Sequence, residues 1–220
     1  MDKVLKESTA DLKVLLNSTK APERRKAAKL IGAFEVVELG DVLYQAYLKE
    51  SKNPKAWETQ CVMIKALGKI KYKNVLQELS SIIENNIIHD MITNEATLAF
   101  IRIKRENKND IIPILKLLKE GNLSVLNGAL KSLAFDDVIP EKEDRYTLID
   151  AVNLKQTLIK EQHKVGVFDP RAYLLSAMSK WDRKDPKISS FIEECSKDEY
   201  LGTKHDLIEK IKKGKKVYAE

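Results

Sequence analysis

Glycine, proline and cysteine are scarce in this chain of 220 residues, which contains 8 Gly, 6 Pro and 2 Cys. So few glycines and prolines exclude collagen-like, linker-like and low-complexity classes of protein. Two cysteines, Cys61 and Cys195, cannot supply the disulfide framework of a small secreted domain, and their apolar helical neighbours favour inert thiols. Hydrophobic residues make up 43% of the chain, which is enough for a full hydrophobic core.

Long apolar runs are also missing, since none approaches the ~18 residues that a membrane-spanning helix needs. The first residues, Met1-Asp2-Lys3-Val4-Leu5-Lys6-Glu7, lack the apolar stretch of a signal peptide. We therefore expect a soluble, cytoplasmic protein that does not use a membrane. Its net charge of +6 is mild, and the imbalance alone does not mark a dedicated nucleic-acid binder.

Signals for β-strands are nearly absent, because no alternating β-branched runs flank a hairpin turn. Apolar residues instead recur with helical spacing throughout the chain, for example over 75–83 and 188–195. Pro54, Pro170 and Pro186 each follow an Asn or Asp that can cap a helix, so they mark helix starts. Together these patterns predict an all-α fold.

A recurring segment, in which a small residue follows apolar ones, divides the chain into helix–turn–helix units. The first helices of these units contain residues 27–32, 63–68, 96–101, 129–134 and 174–179. The second helices lie near residues 38–50, 73–86, 110–120, 141–162 and 186–197. Because one helix pair cannot bury its apolar face alone, neighbouring pairs are expected to stack.

The pattern predicts a right-handed α-solenoid of about five helix pairs with a capping helix at each end. We expect one domain over residues 1–220. Within it, residues 1–19 form the N-terminal cap, 20–200 the repeats, and 201–220 the C-terminal cap with a basic tail.

These units resemble HEAT repeats. The match is closest over 58–70, Glu-Thr-Gln-Cys-Val-Met-Ile-Lys-Ala-Leu-Gly-Lys-Ile, and Arg24-Arg25-Lys26 precedes a similar Ala-x-x-x-x-Gly segment. The resemblance covers about residues 20–200, and Gly occupies the anchor position in two of the five units. It implies a HEAT-like solenoid that holds another macromolecule on its concave face or edge.

Residues that could carry catalysis are few and scattered. His89, His163 and His205 do not have the spacing of a zinc site, and no glycine cluster forms a phosphate-binding loop. Six acidic residues lie within 136–150, which we interpret as the start of a helix, where the dipole favours acids. A docking patch for a basic partner is the alternative. We expect no catalytic residue, no metal, no cofactor and no small-molecule substrate.

Alkylpurine DNA glycosylases, which are built from HEAT-like repeats, resemble this chain in length, basicity and helix pairing. That resemblance implies a concave site with aromatic residues, an Asp and an Arg, for which Trp181, Asp182 and Arg183 are candidates. The Trp-Trp-Asp arrangement of that family is missing, since Trp57 precedes Glu58. We therefore interpret Trp181 as a core residue and place the enzyme hypothesis last.

The second helices supply the first candidate binding surface. Opposite their core positions they carry a polar strip with one exposed aromatic residue, and its members are Tyr44, Gln45, Gln77, Ser81, Lys116 and Lys119. We predict that this strip binds a partner protein, with Tyr44 as an anchor. The role would be that of an adaptor or inhibitor, one form being a bacterial immunity protein that neutralises a toxin.

The alternative partner is a nucleic acid. In a solenoid, equivalent turns align, so cations at successive turns would follow phosphates along one ridge. The residues of this predicted ridge are Lys65, Lys69, Lys71, Lys73, Arg102, Lys104 and Arg105. Only Tyr72 lies near them to stack on a base, which makes nucleic acid the second choice.

Overall fold

The structure, a computed structural model, is described for residues 8–162, 169–198 and 205–217. Over these ranges it consists of helices and turns without a β-strand, so the prediction of an all-α fold is confirmed. His163, the side chain of His205 and the outer parts of both predicted caps (1–7, 201–204 and 218–220) lie outside the description. None of the described helices is long and apolar enough to cross a membrane.

The described ranges contain thirteen α-helices, numbered here in chain order. They are α1 (Thr9–Leu16), α2 (Ala21–Phe34), α3 (Gly40–Glu50), α4 (Trp57–Lys69), α5 (Leu76–Asn85), α6 (Met91–Lys104), α7 (Ile112–Glu120), α8 (Leu123–Phe135), α9 (Lys142–Asn153), α10 (Gln156–Gln162), α11 (Arg171–Met178), α12 (Pro186–Ser196) and α13 (His205–Lys212). Short 3-10 turns precede three of them, at Val37–Leu39, Pro54–Ala56 and Lys73–Val75.

Pro54 and Pro186 begin helical segments as the sequence predicts, whereas Pro170 lies one residue before the start of α11. Asp185 accepts backbone N–H groups of the first turn of α12, which opens with Pro186. Asn53 caps the 3-10 turn that leads into α4, and Asp169 accepts a backbone N–H at 2.8 Å before α11. Each carboxylate or amide oxygen satisfies a donor that would otherwise lack a partner, which is why the helices start there.

The chain folds into two compact units. The first consists of the described residues up to Asn85 together with Asp90–Lys104, and the second of Asn86–His89 and the described residues from Arg105 onward. In the first unit α4 packs against α2 and α6, while α1, α3 and α5 pack against α2, α4 and α6 respectively. In the second unit α8 packs against α7 and α11, and α13 packs against α11 and α12. The continuous right-handed solenoid stays a prediction.

In the first unit, α2, α4 and α6, which are the first helices of their predicted pairs, touch through small residues. A Cβ added at Gly68 of α4 would lie 2.7 Å from the Cα of Ala99 in α6. One added at Gly32 of α2 would lie 3.0 Å from the Cα of Ala66 in α4. Gly32 and Gly68 are the anchor positions that the repeat pattern identified, so their function is to let the backbones of successive first helices approach closely.

In each unit an arginine, partly buried in the first unit and buried in the second, joins the start of a first helix to the end of a second helix. The Nε of Arg24 in α2 lies 2.5 Å from a carboxylate oxygen of Glu50 in α3. Arg171 in α11 is 2% exposed and donates to Asp169 and Asp198 at 2.6 Å each. Burial opposes the charge of Arg171, but the bonds to both carboxylates outweigh it and raise the pKa of the guanidinium above its usual value.

We expect Gly68→Ala to destabilise the fold, although alanine favours a helix interior by about 1 kcal/mol over glycine. The added methyl group must displace the backbone at Ala99, and overpacking of this kind costs about 1–3 kcal/mol. Urea unfolding measures the effect. Gly32→Ala has slightly more room and should cost less, whereas a more stable Gly68→Ala variant would contradict the close packing.

Arg171→Met should lower the free energy of unfolding by about 3–5 kcal/mol, because it leaves buried Asp169 without its charge partner. Adding Asp169→Asn to that variant should recover part of the loss. The control is Lys187→Met, which removes a more exposed ion pair to Asp150 and should change stability by less than about 1 kcal/mol. Equal losses in the two single variants would show that Arg171 does not act through its buried pairing.

Candidate functional site

Helices α3 and α5 carry four of the six predicted partner-binding residues. Gln45, Gln77 and Ser81 are exposed, whereas Tyr44 is partly buried and packs against the core. Together with Tyr72, which lies just before the 3-10 turn that leads into α5, they form a surface that we call the α3–α5 face. Tyr44 is therefore not the freely exposed side chain that the helical pattern predicted.

A pair of tyrosines lies at the centre of the α3–α5 face. The ring centroids of Tyr44 and Tyr72 are 5.5 Å apart, and the ring planes are tilted by 45°. The hydroxyl of Tyr44 donates to Glu78 of α5, and the hydroxyl of Tyr72 donates to Asp41 of α3. These reciprocal bonds link α3 to α5 and hold both rings in one position.

The position of Tyr72 depends on a glycine. Gly40 is the first residue of α3, and a Cβ added there would lie 2.5 Å from Cδ2 of the Tyr72 ring. The ring can therefore lie against the start of α3 only because Gly40 has no side chain. Sequence reasoning considered Tyr72 only as a neighbour of the predicted ridge, so it missed this member of the pair.

The environment of the pair keeps the phenols protonated. The hydrogen bond to Glu78 raises the pKa of Tyr44 to about 12. Burial, together with the hydrogen bond to Asp41, raises the pKa of Tyr72 as well. The bonds that the two hydroxyls donate hold the rings in place, so the rings present a fixed aromatic surface that can bind without first being ordered.

The other two predicted partner-binding residues belong to the second unit. Lys116 and Lys119 are exposed on α7, and the backbone carbonyl of Lys119 accepts a bond from the Nζ of Lys155 at 2.7 Å. Both residues belong to the second unit, whereas the α3–α5 face belongs to the first.

The second unit has its own tyrosine–carboxylate bond, which sequence reasoning missed. The hydroxyl of Tyr146 in α9 donates to Asp185 at 2.7 Å. The Nζ atoms of Lys142 and Lys187 lie 5.5 and 5.0 Å from the centroid of the same ring. The bonded residues are 39 positions apart here and 34 apart for Tyr44 and Glu78. A tyrosine followed by an acid at a separation of this size is the signal that could have found both bonds.

The predicted cationic ridge does not form as one exposed row. Arg102 is 5% exposed and Arg105 is 7% exposed, and Arg105 pairs with Asp136 at 3.4 Å. The prediction is therefore wrong for these two arginines, because the helical pattern does not show what packs over them. The remaining members are exposed or partly exposed, and they are Lys65, Lys69, Lys71, Lys73 and Lys104.

The residues considered for a glycosylase have structural contacts. Trp181 is 5% exposed, and its indole N–H donates to the carbonyl of Val138 at 3.0 Å, which confirms it as a core residue. Arg183 donates to the carbonyl of Ile211 at 2.7 Å, and Asp182 accepts a backbone N–H of the following turn.

The acidic residues of 136–150 serve mainly in ion pairs and at a helix start. Asp136, Asp137 and Asp150 each pair with a basic side chain. Glu143 and Asp144 lie in the first turn of α9, as the interpretation through the helix dipole predicted. Within the described ranges, no group of three or more His, Cys, Asp or Glu side chains could hold a metal ion.

A pocket of about 490 Å³ lies among α10, α11 and α12 of the second unit. Its lining includes Arg171, which is bonded to Asp169 and Asp198, and Cys195, which is 3% exposed. Burial raises the pKa of Cys195 to about 12. The thiol of Cys195 is a poor nucleophile in this environment, as its place on an apolar helical face predicted. The other cysteine, Cys61, is partly buried.

Comparisons with protein-family models, with curated proteins and with solved structures find no match for this chain. The likeness to HEAT repeats is thus a resemblance of sequence pattern. The α3–α5 face carries four of the six residues that the sequence predicts to bind a partner.

The bond between Tyr44 and Glu78 predicts a pH dependence. Glu78→Gln should lower the pKa of Tyr44 from about 12 toward its usual value of 10, because the amide carries no negative charge. The pKa of Tyr44 is higher in the folded protein than in the unfolded chain. The bond therefore contributes fully to the stability of the fold below about pH 10, and this contribution is lost as the pH rises through about 12.

Ultraviolet absorbance of tyrosinate during an alkaline titration measures this shift. Glu84→Gln, an exposed change on the same helix, is the matched control and should leave the titration unaltered. Tyr44→Phe should remove one late-titrating group. A Glu78→Gln titration identical to that of the unchanged protein would disprove the role of the carboxylate.

Proposed function

We propose that this protein is a non-catalytic binding module that holds a partner protein on the α3–α5 face, as an adaptor or inhibitor. The observation that carries the proposal is the tyrosine pair, in which Tyr44 and Tyr72 are in ring contact and both hydroxyls are bonded. Aromatic side chains that are already ordered lose little conformational entropy on binding, and tyrosine is enriched among residues that dominate binding energies.

The surroundings of the pair favour a protein over a nucleic acid. Gln45, Gln77 and Ser81 are exposed, and such side chains both donate and accept hydrogen bonds. The carboxylates of Asp41 and Glu78 accept the bonds of the two phenols, and exposed Lys71 and Lys73 flank Tyr72 in the sequence, so the charge beside the rings is mixed. A polar rim around fixed aromatic rings is typical of protein recognition.

The resemblance to HEAT repeats supports the same role, because stacked helix pairs build extended binding surfaces from their second helices. Lys116 and Lys119 are second-helix residues of the other unit and are candidate contacts there. Inhibition of one cognate protein is a specific form of this function. A bacterial immunity protein that blocks a toxin would be an example.

Affinity purification from the source cells, with and without nuclease and followed by mass spectrometry, tests the proposal. The protein should retain a stoichiometric protein partner after nuclease treatment. The double variant Gln77→Arg/Ser81→Arg should lose at least about ten-fold in affinity, because two long cationic side chains replace neutral polar ones on the α3–α5 face.

The matched control is Thr147→Arg/Ser190→Arg, which adds the same charge at exposed positions of α9 and α12 in the second unit. It should retain the partner, and both variants should keep the melting temperature of the unchanged protein. Undiminished binding by Gln77→Arg/Ser81→Arg, or loss of every partner on nuclease treatment, would refute a protein partner on the α3–α5 face.

A further inference from the structure

A groove of about 380 Å³ runs between α2 and α4 and includes no residue of the α3–α5 face. Its floor is apolar and consists mainly of small residues, among them Ala28 and Ala33 of α2 and Val62 of α4. The volume lies at the lower end of the range of about 300–1,000 Å³ that is usual for ligand pockets. The groove therefore has room for a few side chains of a partner.

The groove exists because the two helices meet through residues without bulky side chains. Gly32 contacts Ala66 so closely that an added Cβ would lie 3.0 Å from the Cα of Ala66. Both residues line the groove, which leaves the space beside their contact unfilled. Ala33, the next residue of α2, is exposed at the same place.

Three lysines, Lys29, Lys65 and Lys69, line the groove together with this apolar floor. The acidic residues of α2 and α4 are Glu23 and Glu58, and both lie in the first turns of their helices. Each is in an ion pair, Glu23 with Lys20 at 3.3 Å and Glu58 with Arg25 at 3.4 Å. None of the residues that line the groove is acidic, and its lining places three ammonium groups around an apolar floor.

We propose that this groove binds an acidic amphipathic segment of the partner protein. An apolar side chain of that segment fills the space above Ala33 and Val62, and its carboxylates pair with the lysines. This inference rests on the proposed function and specifies the chemistry of the partner. A nucleic acid would gain from the lysines but not from the apolar floor, and no aromatic side chain lines the described groove to stack on a base.

Fluorescence anisotropy with the full chain and a synthetic peptide tests the inference. The probe is a labelled helical peptide with leucines at i, i+3, i+4 and i+7 spacing and glutamates elsewhere. Two comparison probes are the same peptide with serine in place of each leucine, and single-stranded polythymidylate. We expect the protein to bind the leucine–glutamate peptide more tightly than either comparison probe.

Two variants separate packing from charge. Ala33→Leu fills the groove but keeps its charge, while Lys29→Glu/Lys65→Glu reverses the charge but keeps the floor. Each should weaken binding of the leucine–glutamate peptide by at least about ten-fold. The matched control is Lys52→Glu/Lys55→Glu, which makes the same charge change at exposed sites of the first unit and should stay within about two-fold.

An unchanged affinity in Ala33→Leu, equal binding of the serine peptide or of polythymidylate, or no binding of the leucine–glutamate peptide would overturn the groove proposal. Capture of the cellular partner distinguishes this failure from failure of the proposed function. If Ala33→Leu retains the partner and Gln77→Arg/Ser81→Arg loses it, the α3–α5 face stands and the groove proposal fails. If both variants retain it, the proposed function fails.

Discussion

The close approach of successive first helices is the constraint on which the other features of the first unit depend. A Cβ added at Gly68 would lie 2.7 Å from the Cα of Ala99, and one added at Gly32 would lie 3.0 Å from the Cα of Ala66. This spacing sets where α3 and α5 lie, since α3 packs against α4 and α5 against α6. A phenol on α3 can therefore reach a carboxylate on α5, and the same contact leaves the α2–α4 groove open.

Ion pairs at the helix ends also contribute to how the helices of each unit pack. The pairs of Arg24 with Glu50 and of Arg171 with Asp169 and Asp198 tie the start of a first helix to the end of a second one. Buried pairs of this kind add little net stability over apolar packing, but removing one partner is costly. An arrangement in which these helix ends do not meet would leave a charge without its partner. The ion pairs therefore favour one arrangement of each helix pair.

Local features of the fold were predictable from the sequence, whereas contacts between repeats were not. Helix starts at Pro54 and Pro186, and the anchors Gly32 and Gly68, can be identified within one chain segment, and they are confirmed. Helical spacing shows which side of its own helix a residue occupies, but not what the next helix places against it. That is why the burial of Arg102 and Arg105 was missed.

The two surfaces of the first unit differ in charge, and this difference limits what a single partner can be. The α3–α5 face places Asp41 and Glu78 beside its rings, whereas the groove places lysines beside an apolar floor. A uniformly basic partner would be repelled at the groove, whereas the α3–α5 face presents neutral polar side chains beside its rings. A protein that uses both must combine a polar patch with a separate acidic, apolar segment. Such a pattern discriminates between partners more strongly than either surface does alone, because a mismatch at one site offsets a match at the other.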